Sequence, residues 1–160
     1  MKSLIEIDGE VSKDLMIIAQ NVALDVIKFM NQPDELEIAI SFVSEEEIKR
    51  INSEFRNIDK VTDVLSFPST SLQVGEILDL NAEDVLFLKT ESGLIHFGDM
   101  AICMPQLERQ AKEYDVSVES ELKKLVIHSM LHFMGYDHIE DNDFEIMNKK
   151  EIELDELIKI

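Results

Sequence analysis

Three of the four histidines in this 160-residue chain fall within the stretch HSMLHFMGYDH, at His128, His132 and His138. Residues of this type at this spacing can do metal chemistry. A catalytic zinc takes three protein ligands and leaves a fourth position to water, and the i, i+4, i+10 pattern can supply all three. On a helix, His128 and His132 share a face with Cβ atoms roughly 5–6 Å apart, so both imidazoles can reach one ion. Gly135 suits the left-handed turn that ends a helix and lets His138 return to the same ion from a loop. Chance gives about 0.002 such triplets in a chain with so few histidines, which sets a metal site above coincidence.

The spacing HxxxHxxGxxH is that of the metzincin peptidases, in which glutamate follows the first histidine as general base. Ser129 stands at that position. Peptide hydrolysis needs proton transfer to the leaving amine, so the missing carboxylate argues against a protease. A phosphodiester is less demanding, provided cationic groups offset the charge that builds in its transition state. Arg56 is the candidate for that task, because a guanidinium meets phosphate in bidentate geometry. The plainer role for Arg56 is a surface ion pair with Asp59 or Asp63.

These residues have to be positioned by a scaffold, and the patterning outlines one. Residues 3–7 alternate like a strand, and Ser12 caps a helix carrying Leu15, Ile18, Ala19, Val22, Val26 and Phe29, which Pro33 ends. Residues 36–43, LEIAISFV, read as an interior strand. Ser44 to Glu47 form a capping box for a short helix through about Phe55, with Ile48, Ile51 and Phe55 as its buried stripe. The apolar VLSF then forms a strand that Pro68 closes. In residues 69–97, VGEILDL and VLFLK read either as a hairpin or as an excursion with little regular structure. LIHFGDMAIC is a strand in which Gly98 signals a bulge or a close backbone approach, and His96 reads as structural. Pro105 suits the first turn of a helix to about Tyr114, and Ser117 caps the long helix that bears the first two histidines. A last helix begins at Asp141 or Asn142, with Phe144, Met147, Leu154 and Leu157 spaced to pack on the domain. The expected fold is α+β: one domain over residues 1–160, a small, mostly parallel four-stranded sheet covered by helices, with the histidine helix against one face.

A net charge of −19 repels phosphate chains and anionic membranes, which excludes loose nucleic-acid binding but not a local positive site. Cys103 is a single cysteine, and the N-terminus carries Glu6, Asp8 and Glu10 where an export signal needs an apolar run. A cytosolic protein without a membrane span is the expectation.

At this point the chain resembles the YbeY family of bacterial single-strand-specific metallo-endoribonucleases. The matching segments are FRNIDKVTDVLSFP at 55–68, GDMAIC at 98–103, and HSMLHFMGYDH at 128–138 followed by Met147 and Glu151. The resemblance implies a zincin-like fold and one Zn2+ per chain on His128, His132 and His138. It makes Arg56, together with His128 and His132, the catalytic set. It further implies action on single-stranded rRNA in 16S 3′-end maturation and ribosome quality control, in the cytoplasm, with the ribosome or small-subunit proteins as partners and neither membrane nor DNA. Two departures stand out: Ser129 replaces the family's usual glycine, and the 69–97 segment is longer than the common connection. The competing expectations are a ribosome-assembly binding module with a structural zinc and, third, a metalloprotease. A three-ligand site open at its fourth position favours the enzyme.

Overall fold

The computed structural model describes residues 2–160. Its elements run β1 (Leu4–Gly9), α1 (Lys13–Phe29), β2 (Leu36–Val43), α2 (Glu45–Arg56), β3 (Val64–Pro68), α3 (Glu83–Leu86), β4 (Ile95–Cys103), α4 (Met104–Glu113), α5 (Val118–Phe133) and α6 (Asp141–Leu157). The expected caps form: Ser12 Oγ accepts from the Leu15 N–H, Ser44 Oγ from Glu47 and Ser117 Oγ from Ser120. Each satisfies an N–H that the first helical turn cannot bond internally. Only half of the capping box at Ser44 is made, because the Glu47 carboxylate turns outward to Arg50.

The sheet order is β1-β2-β4-β3, with β1, β2 and β4 mutually parallel and β3 antiparallel at the edge beside β4. Alternate residues Leu36, Ile38, Ile40 and Phe42 of β2 point into one core. In β4 the register slips: Glu37 pairs with His96 but Ile38 with Gly98, so Phe97 is the extra residue of a bulge. The slip changes parity, so Ile95 and Phe97 before it and Met100 and Ile102 after it all reach the same core. Gly98 serves the close approach as well, since a Cβ there would lie 2.6 Å from the Phe133 ring.

Helices α1 and α5 cover this face and pack on each other. The other face carries a smaller cluster, Ile48 of α2 against Leu65, Ala101 and Cys103. Burial pushes the Cys103 thiol up from its ordinary range. The mixed, mostly parallel four-stranded α+β architecture is as expected from the sequence. Among the described residues, no helix is long and apolar enough to cross a membrane.

Of the two readings of residues 69–97, the excursion with little regular structure is the one found: VGEILDL and VLFLK do not pair as a hairpin, and the segment is irregular apart from α3 and one bridge between Lys89 and Ile95. A buried side chain pins it instead: Gln32 Nε2 donates to the Glu76 carbonyl at 3.0 Å, and Gln32 Oε1 accepts from the Leu78 N–H at 3.0 Å. Leu78 and Val85 then enter the main core. Phe55 is not part of a buried stripe but is 64% exposed, its ring edge-on to Phe67. On α6, Met147 and Leu154 are buried, whereas Phe144 and Leu157 face outward at 54% and 48% exposure.

Candidate metal centre

Helix α5 places His128 and His132 one turn apart on the side facing an open cleft. It ends in a double hydrogen-bonded turn: the Tyr136 N–H donates to the Leu131 carbonyl and the Gly135 N–H to that of His132. This is the Schellman closure, and Gly135 takes the positive φ of +93° that it requires. A side chain at Gly135 would also strike the Leu72 carbonyl of the irregular segment. The reversed chain brings His138 back beside the helix, with ring centroids 5.4 Å from His128 and 5.2 Å from His132. The three side chains each offer a ligand nitrogen within 4.8 Å of the others, a cluster that could hold a metal ion.

Hydrogen bonds fix which nitrogens are free. His132 Nδ1 lies 2.9 Å from the Tyr136 carbonyl, and His128 Nδ1 lies 3.3 Å from Glu151 Oε2. A carbonyl and a carboxylate oxygen accept, so both Nδ1 atoms carry the proton and donate, leaving lone pairs on both Nε2 atoms. Those two Nε2 atoms face each other at 3.1 Å. Two lone pairs at that distance repel unless a cation lies against both. Burial first, and then repulsion from His128 when that ring is charged, hold the His132 imidazole below the ordinary histidine range. Two nitrogens on one tetrahedral zinc stand about 3.3 Å apart, so this pair is nearly at the spacing of a chelate. The donor set fits the ion.

The cleft measures about 540 Å³ and runs between the β3 edge and α5. Arg56, the last residue of α2, lines it together with Lys124, Asp63, Ser66, Glu151 and the three histidines. Arg56 makes none of the ion pairs found among the described residues, whereas Arg50 bonds Glu47 and Glu54, and Arg109 bonds Glu45. The surface pair with Asp59 or Asp63 is thus not formed. Asp137 caps its own loop, accepting from the His138 N–H at 2.7 Å, rather than orienting an imidazole. His96 bonds Asp99 on β4 and is no member of the cluster.

Other groups of the site carry no local sequence signal. Gln110 Nε2 donates one hydrogen to Asp63 Oδ2 at 3.0 Å and another to Glu121 Oε2 at 3.1 Å. The Ser66 and Ser129 hydroxyls bond across from β3 to α5. Glu151 was visible only as a matching position 23 residues beyond His128, without its role.

Fold and cleft together define a class, a small α+β protein with an open, histidine-lined groove able to hold a metal ion. The sequence profile of the family described as "Endoribonuclease YbeY" matches residues 5–159. A protein of that name from Finegoldia magna is 39% identical over 146 residues, covering 91% of this chain and 82% of its own. A namesake from Lachnospira eligens is 34% identical over 162 residues, covering 97% and 95%. The solution structure of TM1509 from Thermotoga maritima superposes with a TM-score of 0.62 at 28% identity, covering 95% of this chain and 87% of the other. The chain belongs to the YbeY family of endoribonucleases, enzymes that hydrolyse RNA phosphodiester bonds.

Proposed function

We propose that this chain, as one domain over residues 1–160, is a zinc-dependent endoribonuclease selective for single-stranded RNA. In this reading it acts in the cytoplasm on 16S rRNA 3′ ends and in ribosome quality control, in contact with the ribosome or small-subunit proteins. The observation that carries it is the facing of the His128 and His132 Nε2 atoms at 3.1 Å, with His138 beside them and Arg56 unpaired among the described residues in the same cleft. His128, His132 and His138 would hold the ion, and three imidazoles suit zinc. When bound, zinc supplies a Lewis acid and makes water nucleophilic near neutral pH. The protein's own contribution is placement. Glu151 and the Tyr136 carbonyl hold two imidazoles in the ligating tautomer, and Arg56 offers two N–H donors to the phosphoryl oxygens as they gain charge. The acidic surface repels polyanions and anionic membranes, which supports a nucleic acid bound at this cleft over loose binding elsewhere.

A binding module with a structural zinc would use a fourth protein ligand, but the cluster has three members among the described residues. The deciding experiment compares cleavage of single-stranded and duplex RNA, including a 16S precursor with its 3′ extension, by metal-loaded protein, chelated protein and His132→Ala. Metal-dependent cutting of the single strand that vanishes in His132→Ala is expected. Cutting that survives the substitution would sink the assignment.

A further inference from the structure

Among the described residues the ion pairs take up Lys49, Arg50, Arg109, Lys123 and Lys150, and neither of the two cations that line the cleft, Arg56 and Lys124, is among them. Arg56 has a place in the proposed chemistry. Lys124 does not, yet it lies on α5 one turn before His128, about 6 Å along the helix axis. Its natural partner would be Glu121, three residues earlier on the same helix face. Glu121 makes no such pair: it is only 3% exposed, its Oε2 accepts from the Gln110 amide, which with its other hydrogen bonds Asp63, and its Oε1 is buried without a partner. One neutral amide thus bonds two carboxylates of the cleft lining, and Lys124 makes no ion pair among the described residues.

Lys124 has one neighbour of a different kind. Its Nζ stands 5.9 Å from the centre of the Tyr114 ring, at the end of α4 just outside the cleft lining. Tyr114 is 57% exposed. An exposed aromatic face beside an unpaired cation is the pairing that single-stranded nucleic acids use, one group taking a base by stacking and the other the adjoining phosphate. A duplex keeps its bases stacked internally and cannot offer one.

We propose that Tyr114 and Lys124 form a subsite for single-stranded RNA at the rim of the cleft, taking the base and phosphate of a nucleotide that flanks the cleaved bond. The inference rests on the RNA-hydrolase reading of the same cleft and extends it to how a single strand is preferred.

The test uses metal-loaded protein and a fluorescent 2′-O-methyl single strand of roughly 10 nucleotides, followed by anisotropy over a salt series, with its duplex as second probe. Lys124→Ala should weaken single-strand binding and flatten the plot of log affinity against log salt by about 0.7, the value of one phosphate contact on a single strand. Lys124→Arg should restore the slope. Tyr114→Ala should weaken single-strand binding by roughly 5- to 100-fold without changing the slope and without affecting the duplex, while Tyr114→Phe keeps the ring and the affinity. A wild-type slope in Lys124→Ala, or equal losses on single strand and duplex in Tyr114→Ala, would overturn the subsite. Wild-type protein that binds neither probe at any salt would overturn the RNA reading itself.

Discussion

The hydroxyls of Ser66 and Ser129 lie 2.7 Å apart, a direct bond between the edge strand β3 and the helix that carries the histidines. Ser129 is fully buried and adjoins His128, so this bond fastens one wall of the cleft to the other. Ser129→Ala should lower stability by about 1 kcal/mol. Urea unfolding of both single alanine variants and the double variant gives the coupling; strictly additive losses would mean that the pair contributes nothing as a pair.

His128→Ala, His132→Ala and His138→Ala should each lower metal content measured by elemental analysis. In wild type, zinc at 100-fold over its Kd should raise unfolding free energy by about 2.7 kcal/mol, because the ion binds only the folded chain. A chelator should reverse the gain. Thermal stability indifferent to both zinc and chelator would count against the site.

Arg56→Ala should leave zinc content and fold intact and reduce single-turnover RNA cleavage on the order of 10²–10³-fold, as loss of one transition-state donor does. The loss should fall on kcat more than on KM. Arg56→Lys should recover only part, since an ammonium cannot reproduce the two-pronged donor. Wild-type turnover in Arg56→Ala would remove this residue from the mechanism.

Gly98→Ala sets a methyl 2.6 Å from the Phe133 ring, one residue past His132. Overpacking of this kind should lower stability by about 1–3 kcal/mol. The thermal midpoint measures it, and an unchanged midpoint would show that α5 can shift away freely.

Cys103 should resist alkylation in the native state and react on unfolding, since it is fully buried with its thiol pKa raised by burial. The sign follows: the unfolded thiol ionises near pH 8.5, the folded one higher, so this residue's part of the stability is intact below that pH and is lost as pH rises toward the folded value. Cys103→Ser should alter the alkaline limb of the stability curve. Rapid native labelling at pH 8 would contradict the burial.

What the sequence disclosed was local. The histidine spacing, the glycine at the helix end, the serine caps and the bulge at Gly98 each depend on residues a few positions apart, and each is found in the structure. What it withheld depends on packing between distant segments. Gln110 bridging Asp63 and Glu121, Glu151 meeting His128, and Gln32 pinning the long irregular segment are contacts spanning 11 to 47 residues, with no periodicity to reveal them. The misjudged Phe55, Phe144 and Leu157 show the same limit. An apolar residue at helical spacing is buried only if a neighbour covers that part of the helix, and these three lie beyond what is covered.

The two inward-facing imidazoles differ in what holds them, and so in how the site can change over generations. His132 leans on the backbone carbonyl of Tyr136, an acceptor that every amino acid at that position would provide. His128 leans on the side chain of Glu151, which a single codon change can shorten, neutralise or remove. Variation or laboratory evolution that retunes the metal affinity of this cleft has an accessible handle on α6 at Glu151. The other half of the pair is inherited with the fold.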